Sequence, residues 1–225
     1  MNVFKIAVAG MLMVVAFATH SADLKGVGLF ETLDKPWFVT ALYVEDHYDQ
    51  NHDDQGSTPE QSLPTAQQRP IRLEFKVVED RISQRRFRQL WQGVMAVVQD
   101  QSLLLNPDFE RFLSVIKGPL KQHDHIVLKR EQDHVALHIN YHQHARLSED
   151  FLTDLVQVLT ARIAPIPELK HGLMGKLPRA ELRDIQQTFD RGEPSLHRIS
   201  QTSRWLRQRN RDLSHARVAS AEPSA

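Results

Sequence analysis

Residues 71–98, IRLEFKVVEDRISQRRFRQLWQGVMAVV, contain the change of hydrophobic period that decides the fold class. Ile71, Leu73, Phe75 and Val77 alternate with Arg72, Glu74 and Lys76, the period-two pattern of a half-buried strand. From Ser83 the rhythm changes. Phe87, Leu90, Trp91, Val94, Val97 and Val98 fall on one helical stripe, with Arg85, Arg88, Gln89 and Gln92 on the opposite face. The reading is therefore strand, tight turn at Glu79-Asp80, then amphipathic helix.

The same reading extends outward in both directions. Upstream, 24–45 predicts a hairpin with a Gly-rich first strand, a turn around Asp34-Lys35-Pro36 and an apolar second strand. Residues 46–69 are acidic and Gln-rich, too poor in aliphatics to offset ordering entropy, and read as an exposed loop. Downstream, Asn106-Pro107-Asp108 signals a helix start that turns Phe109, Phe112, Leu113 and Ile116 inward. Residues 125–129 and 133–140 predict two strands, and Ser148 a cap for a helix through Arg162 that Pro165 and Pro167 end. Strands in antiparallel runs with helices grouped between them give an α+β domain rather than a βαβ repeat.

The N-terminus has the layout of an export signal. Lys5 precedes an uncharged apolar run over 6–18 that is too short to cross a bilayer, and Ala16-Phe17-Ala18 supplies a small-x-small cleavage pattern. Cleavage is expected after Ala18, with a cut near Ala22 as the alternative, placing the mature chain in the periplasm with no transmembrane segment. The 225 residues contain no cysteine, so packing alone must hold the fold. Lys plus Arg equals Asp plus Glu, 28 against 28, which removes any global bias toward nucleic acid.

Residues 176–225 differ from the rest, with ten Lys and Arg against six Asp and Glu. Leu182, Ile185 and Phe189 predict a short amphipathic helix stopped by Gly192 and Pro194; Leu196, Ile199, Trp205 and Leu206 begin another. This basic arm reads either as a helical extension packed on the domain or as a docking element for a partner or anionic surface. The last residues are expected to be disordered.

Gly26-Val27-Gly28, then WFVTALY at 37–43, LEFKVVEDRISQRRFRQLW at 73–91, NYHQHARLSEDFL at 140–152 and PIPELKHGLMG at 165–175 together resemble the chalcone isomerase-like family, its exported bacterial branch above all. The resemblance covers roughly 24–175. It implies a curved antiparallel sheet with a layer of helices on one face and an apolar cleft between them, the arm lying outside. It also implies that the isomerase chemistry is gone. The arginine that holds the ligand's anion in the family falls at Phe30, the isomerase threonine at Phe38, its tyrosine at Phe87 or Arg86, and its asparagine near Val94. Stabilising an oxyanion takes positioned donors, and losing one typically costs about 10² to 10³ in rate.

Other constellations carry less. His123-Asp124-His125 and His142-Gln143-His144 have a strand spacing that could present two imidazoles to a metal, but no carboxylate or Cys completes a set, and solvated positions explain them. There is no G-x-S-x-G, and Gly26-Val27-Gly28 lacks the third glycine of a nucleotide loop. Glu79-Asp80 is explained by the turn. No cofactor, metal site or catalytic residue is expected.

The expected function is thus non-catalytic binding of a small hydrophobic ligand, of fatty-acid or polyphenol type, in a cleft near Phe30, Phe38, Phe75, Phe87 and Trp91. Arg72, Arg85 and Arg86 are the cations available for a head group. The alternatives are a partner-docking protein that uses the Arg-rich arm, and a divergent intramolecular lyase or isomerase.

Overall fold

The computed structural model describes residues 22–46, 68–98 and 102–219. The expected signal segment, nearly all of the 46–69 loop and the last six residues lie outside them. Eight strands and seven helices follow in the order β1 (Asp23–Thr32), β2 (Lys35–Asp46), β3 (Gln68–Val77), β4 (Arg81–Ile82), α1 (Gln84–Ala96), α2 (Ser102–Leu105), α3 (Pro107–Ser114), β5 (Leu120–Lys121), β6 (His125–Arg130), β7 (Val135–Ile139), β8 (His142–Leu147), α4 (Phe151–Thr160), α5 (Pro167–Leu173), α6 (Arg179–Arg191) and α7 (Leu196–Ala219). Six strands form one antiparallel sheet in the order β1-β2-β3-β6-β7-β8. The expected α+β architecture, an antiparallel sheet carrying helices, is the one observed.

The turns that set the strand order are left-handed. Leu33 and Asp34, with φ 52° and 56°, form the two-residue turn between Thr32 and Lys35, one residue earlier than the sequence suggested. Asn140 and Tyr141, with φ 47° and 73°, do the same between β7 and β8. Two positive φ values match the twist of a hairpin, and Asn-Gly is the usual solution. Leucine has no such tolerance; the left-handed region costs it about 1–2 kcal/mol.

Along β3, Leu73, Phe75 and Val77 face the main core with Phe38, Leu42 and Val44 of β2 and Ile126 and Leu128 of β6. Helices α1, α3, α4 and α5 supply the other side: Phe87, Leu90, Trp91 and Val94; Phe109 and Phe112; Phe151, Leu152 and Leu155; Leu169 and Leu173. Ser83 caps α1 by accepting from the Arg86 amide, and Asn106 caps α3 by accepting from Asp108. In α1, Gly93 is exposed at mid-helix, where glycine costs about 1 kcal/mol relative to alanine.

Two elements come from segments read differently in sequence. The strand β8 follows the Asn140-Tyr141 turn, where the sequence reading placed only a connection. Pro165 and Pro167 do end the preceding helix, but Pro167 also opens α5, as proline at the first helical turn can. α5 lies backbone against backbone on β1. A Cβ on Gly26 would sit 2.2 Å from the Gly172 carbonyl oxygen, and one on Gly172 would sit 2.4 Å from the Gly28 Cα.

The second face of the sheet is not bare. Val27, Val39 and Ala41 pack with Phe189, Leu182 and Ile185 of α6. This corrects the expectation that Glu74 and Lys76 stand in water: they are only 7% and 6% exposed. Lys76 donates to the Phe189 carbonyl at 2.9 Å and pairs with Glu193 at 3.1 Å; Glu74 pairs with Arg72 at 2.8 Å and His125 at 2.7 Å. The arm continues into α7, whose Arg198 and Trp205 are buried, Trp205 in the main core. Among the described residues no helix is long and apolar enough to cross a membrane.

Candidate ligand cavity

The structure brings Phe30, Phe38, Phe75, Phe87 and Trp91 together, but ring against ring. Phe30 meets Phe38 edge-on with centroids 5.5 Å apart and Trp91 at 5.4 Å; Phe75 meets Trp91 at 5.5 Å; Phe87 meets Phe38 at 6.3 Å. Phe112 closes the cluster against Trp91 at 5.1 Å. All five predicted cleft aromatics are at most 1% exposed. Such edge-to-face contacts fill the space that open-faced rings would leave for a ligand.

Of the three candidate cations Arg85 is exposed on α1, and Arg72 and Arg86 lie apart from the cluster and from each other. Arg72 is on the second face of β3, its guanidinium 3.8 Å from the Tyr43 ring centroid and its Nε on Glu74. Arg86 is exposed on α1, 4.9 Å from the Trp37 ring centroid. The histidine pairs are also split. His125 is buried against Glu74, while His123 occupies an exposed turn with φ 69°. His144 is buried near Trp205, His142 is half-buried, and desolvation lowers the pKa of half-buried His138. Among the described residues no three His, Asp or Glu side chains gather as a metal site.

Open space lies beyond the aromatics. A cavity of about 290 Å³ runs between the strands β1, β2 and β3 and the helix α4, walled by Leu42, Val44, Pro70, Val156 and Met174, with Thr153, Gln157 and Thr160 along α4 and Lys25 and Lys176 also lining it. The walls follow from strand alternation. Leu42 and Val44 are on the Phe38 face of β2 but lie beyond the last aromatic ring, so the helix opposite has nothing large to meet. Arg130 fixes the back: its Nε donates to the Pro70 carbonyl at 3.2 Å and its Nη2 to Thr153 Oγ1 at 2.7 Å. Among the described residues neither Lys25 nor Lys176 has a side-chain hydrogen bond or ion pair, and none of those lining the cavity is a carboxylate. An apolar enclosure with two uncommitted ammonium groups suits an amphiphile with an anionic head.

A second, more open cavity of about 300 Å³ lies by the Leu33-Asp34 turn, with Arg86, Gly93 and Val94 of α1 on its wall. Arg86 is thus the one predicted site residue that lines either cavity. The residues missed were those of the first cavity. The available signal was the continuation of the Phe38 face of β2 into Leu42 and Val44.

On the second face, Tyr141 donates to the Glu193 carboxylate. That bond pushes the Tyr141 pKa up to about 12 and holds the Glu193 carboxyl below its ordinary range. Burial, with Glu74 nearby, raises Tyr43. The exposed Tyr141–Glu193 bond, with the Lys76–Glu193 pair, ties the 192–195 linker to the sheet.

No known family's sequence profile matches the chain, and no curated protein matches it in sequence. Among solved structures it is similar to a fatty-acid binding protein of Arabidopsis thaliana, at 15% identity and a TM-score of 0.49, over 76% of this chain and 91% of that one.

Proposed function

We propose that this chain is a non-catalytic, exported carrier or sensor of the chalcone isomerase-like type, which holds a small hydrophobic molecule in the cavity between β1–β3 and α4. The observation that carries the reading is the cavity itself: apolar walls at Leu42, Val44, Pro70, Val156 and Met174, with Lys25 and Lys176, which have no ion-pair partner among the described residues, on its lining. Its volume stands at the lower end for small-molecule sites, which suits a single acyl chain or one ring system. The site has no nucleophile with an adjacent base among its lining residues, and its polar groups are hydroxyls, an amide and ammonium groups that can orient a ligand.

The test is native mass spectrometry with organic extraction on the mature protein from a periplasmic preparation, followed by titration with fatty acids and polyphenols. A stoichiometric adduct that Val156→Trp prevents supports the reading. A protein that is recovered empty and shows no change in melting temperature or Trp fluorescence with either ligand class overturns it. Recovery of the chain only in uncleaved form, or only in the cytoplasm, overturns the export part.

A further inference from the structure

Between α5 and α6 the chain rounds the outer edge of the sheet, and it does so at the ligand cavity. α5 lies on the core face of β1, against Gly26 and Gly28, whereas α6 packs with Val27 on the opposite face. β1 is the outermost strand, so residues 174–178 pass around its edge. Gly175, at φ 67°, turns the chain there, and the Lys176 amide closes the turn on the His171 carbonyl at 2.8 Å. The turn is tight against the strand: a Cβ on Gly175 would sit 2.9 Å from the Lys25 carbonyl oxygen. Met174 and Lys176 of this turn and Lys25 of β1 all line the cavity. Two ammonium side chains thus leave neighbouring points of the backbone. Asp23, Glu181 and Asp184, the carboxylates nearest to them in sequence, form no ion pair with either lysine among the described residues.

The helix that follows is lightly held. Of the thirteen residues of α6 only Phe189, near its C-terminal end, is buried, with Leu182 and Ile185 half-buried. Lys76 pins that end through the Phe189 carbonyl and Glu193. The N-terminal half has no side-chain cap at Pro178. Segments with so few buried contacts open locally at low cost.

We infer that an anionic ligand in the cavity fastens the N-terminal half of α6 to the sheet, so that the arm registers whether the cavity is filled. The inference rests on the proposed ligand site. With α6 docked, Lys176 is held beside Lys25. In the empty cavity the two like charges repel; an anion between them gives the docked state an attraction that the open state lacks. A ligand shifts an equilibrium only through such a difference in affinity. The coupling is reciprocal, so whatever loosens α6 weakens the ligand.

The experiment is hydrogen exchange of the expressed chain, read over 179–185, with decanoate and with uncharged 1-decanol of the same chain length, each titrated first by calorimetry. Saturating decanoate should slow exchange of 179–185 at least fivefold, and bound 1-decanol should not. Lys176→Gln should abolish the slowing even at saturation. Leu182→Ala, on the far face of the sheet from the cavity, should weaken decanoate at least threefold. Decanoate bound with exchange of 179–185 unchanged, equal slowing by 1-decanol, or decanoate affinity unchanged by Leu182→Ala overturns the inference and leaves the carrier reading in place. Decanoate failing to bind also overturns it; the carrier reading falls only if the longer fatty acids and polyphenols fail as well.

Discussion

Arg198 of α7 and Asp124, just before β6, form a bidentate pair sealed inside the protein: Nε donates to Oδ1 at 3.0 Å and Nη2 to Oδ2. Asp124 is fully buried and also accepts from the Lys121 amide at 2.8 Å and the Asn140 side chain at 2.9 Å, while Arg198 reaches the Pro119 carbonyl at 3.1 Å. Removing one partner strands the other charge, at a cost of about 3–5 kcal/mol. Arg198→Ala should therefore lower stability in urea by that amount and shift Trp205 emission to the red. A loss under about 1 kcal/mol would show that the arm is only loosely attached.

The ligand cavity and the aromatic cluster predict opposite phenotypes. Phe75→Ala should cost about 3–5 kcal/mol of stability through the void it leaves. Val156→Trp, or Lys25→Glu with Lys176→Glu, should leave thermal unfolding nearly unchanged and weaken a fatty-acid ligand tenfold or more in an isothermal titration. The reverse pattern would return the binding site to the aromatics.

Gly172→Ala places a methyl group 2.4 Å from the Gly28 Cα, in contact with backbone that has no rotamer to yield. Overpacking of this kind costs about 1–3 kcal/mol. Gly93→Ala, where a Cβ meets nothing, should instead stabilise by about 1 kcal/mol. Paired melting curves check both signs.

The Tyr141–Glu193 bond sets a pH window. Tyr141 has a folded pKa raised to about 12, so its contribution is complete below the unfolded value near 10 and is lost as pH climbs toward 12. Glu193 is depressed, so its contribution is present above its unfolded pKa and is lost as pH falls through the folded value. Protection of the 192–195 linker against hydrogen exchange, relative to the intrinsic rate at each pH, should be greatest between these limits. Tyr141→Phe should remove the alkaline loss of protection; an unchanged profile would show that the bond does not hold the linker.

The sheet and the main helices were legible because Leu73, Phe75 and Val77, then Phe87, Leu90, Trp91 and Val94, carry clean periods of two and 3.6. Burial of Glu74 and Lys76 was not legible. Their polarity reads as exposure, and only the long-range return of α6, more than a hundred residues later, supplies Phe189 and Glu193 to cover and pair Lys76. The site moved for a related reason. Sequence identifies Phe30, Phe38, Phe75, Phe87 and Trp91 as facing one another but not whether the rings interlock, and the space is instead decided by Leu42 and Val44, side chains too short to reach α4.

The contact between β1 and α5 also works as a gauge. Gly26 and Gly28 offer two notches on one face of the strand, separated by Val27, whose side chain points to the other face. If β1 slid along β2 by two residues, the notch at Gly172 would receive Leu24 or Phe30 in place of a glycine, and α5 could not close. A Gly-x-Gly pair that superficially suggests a nucleotide loop thus fixes strand register, because only the aligned strand lets α5 close against it.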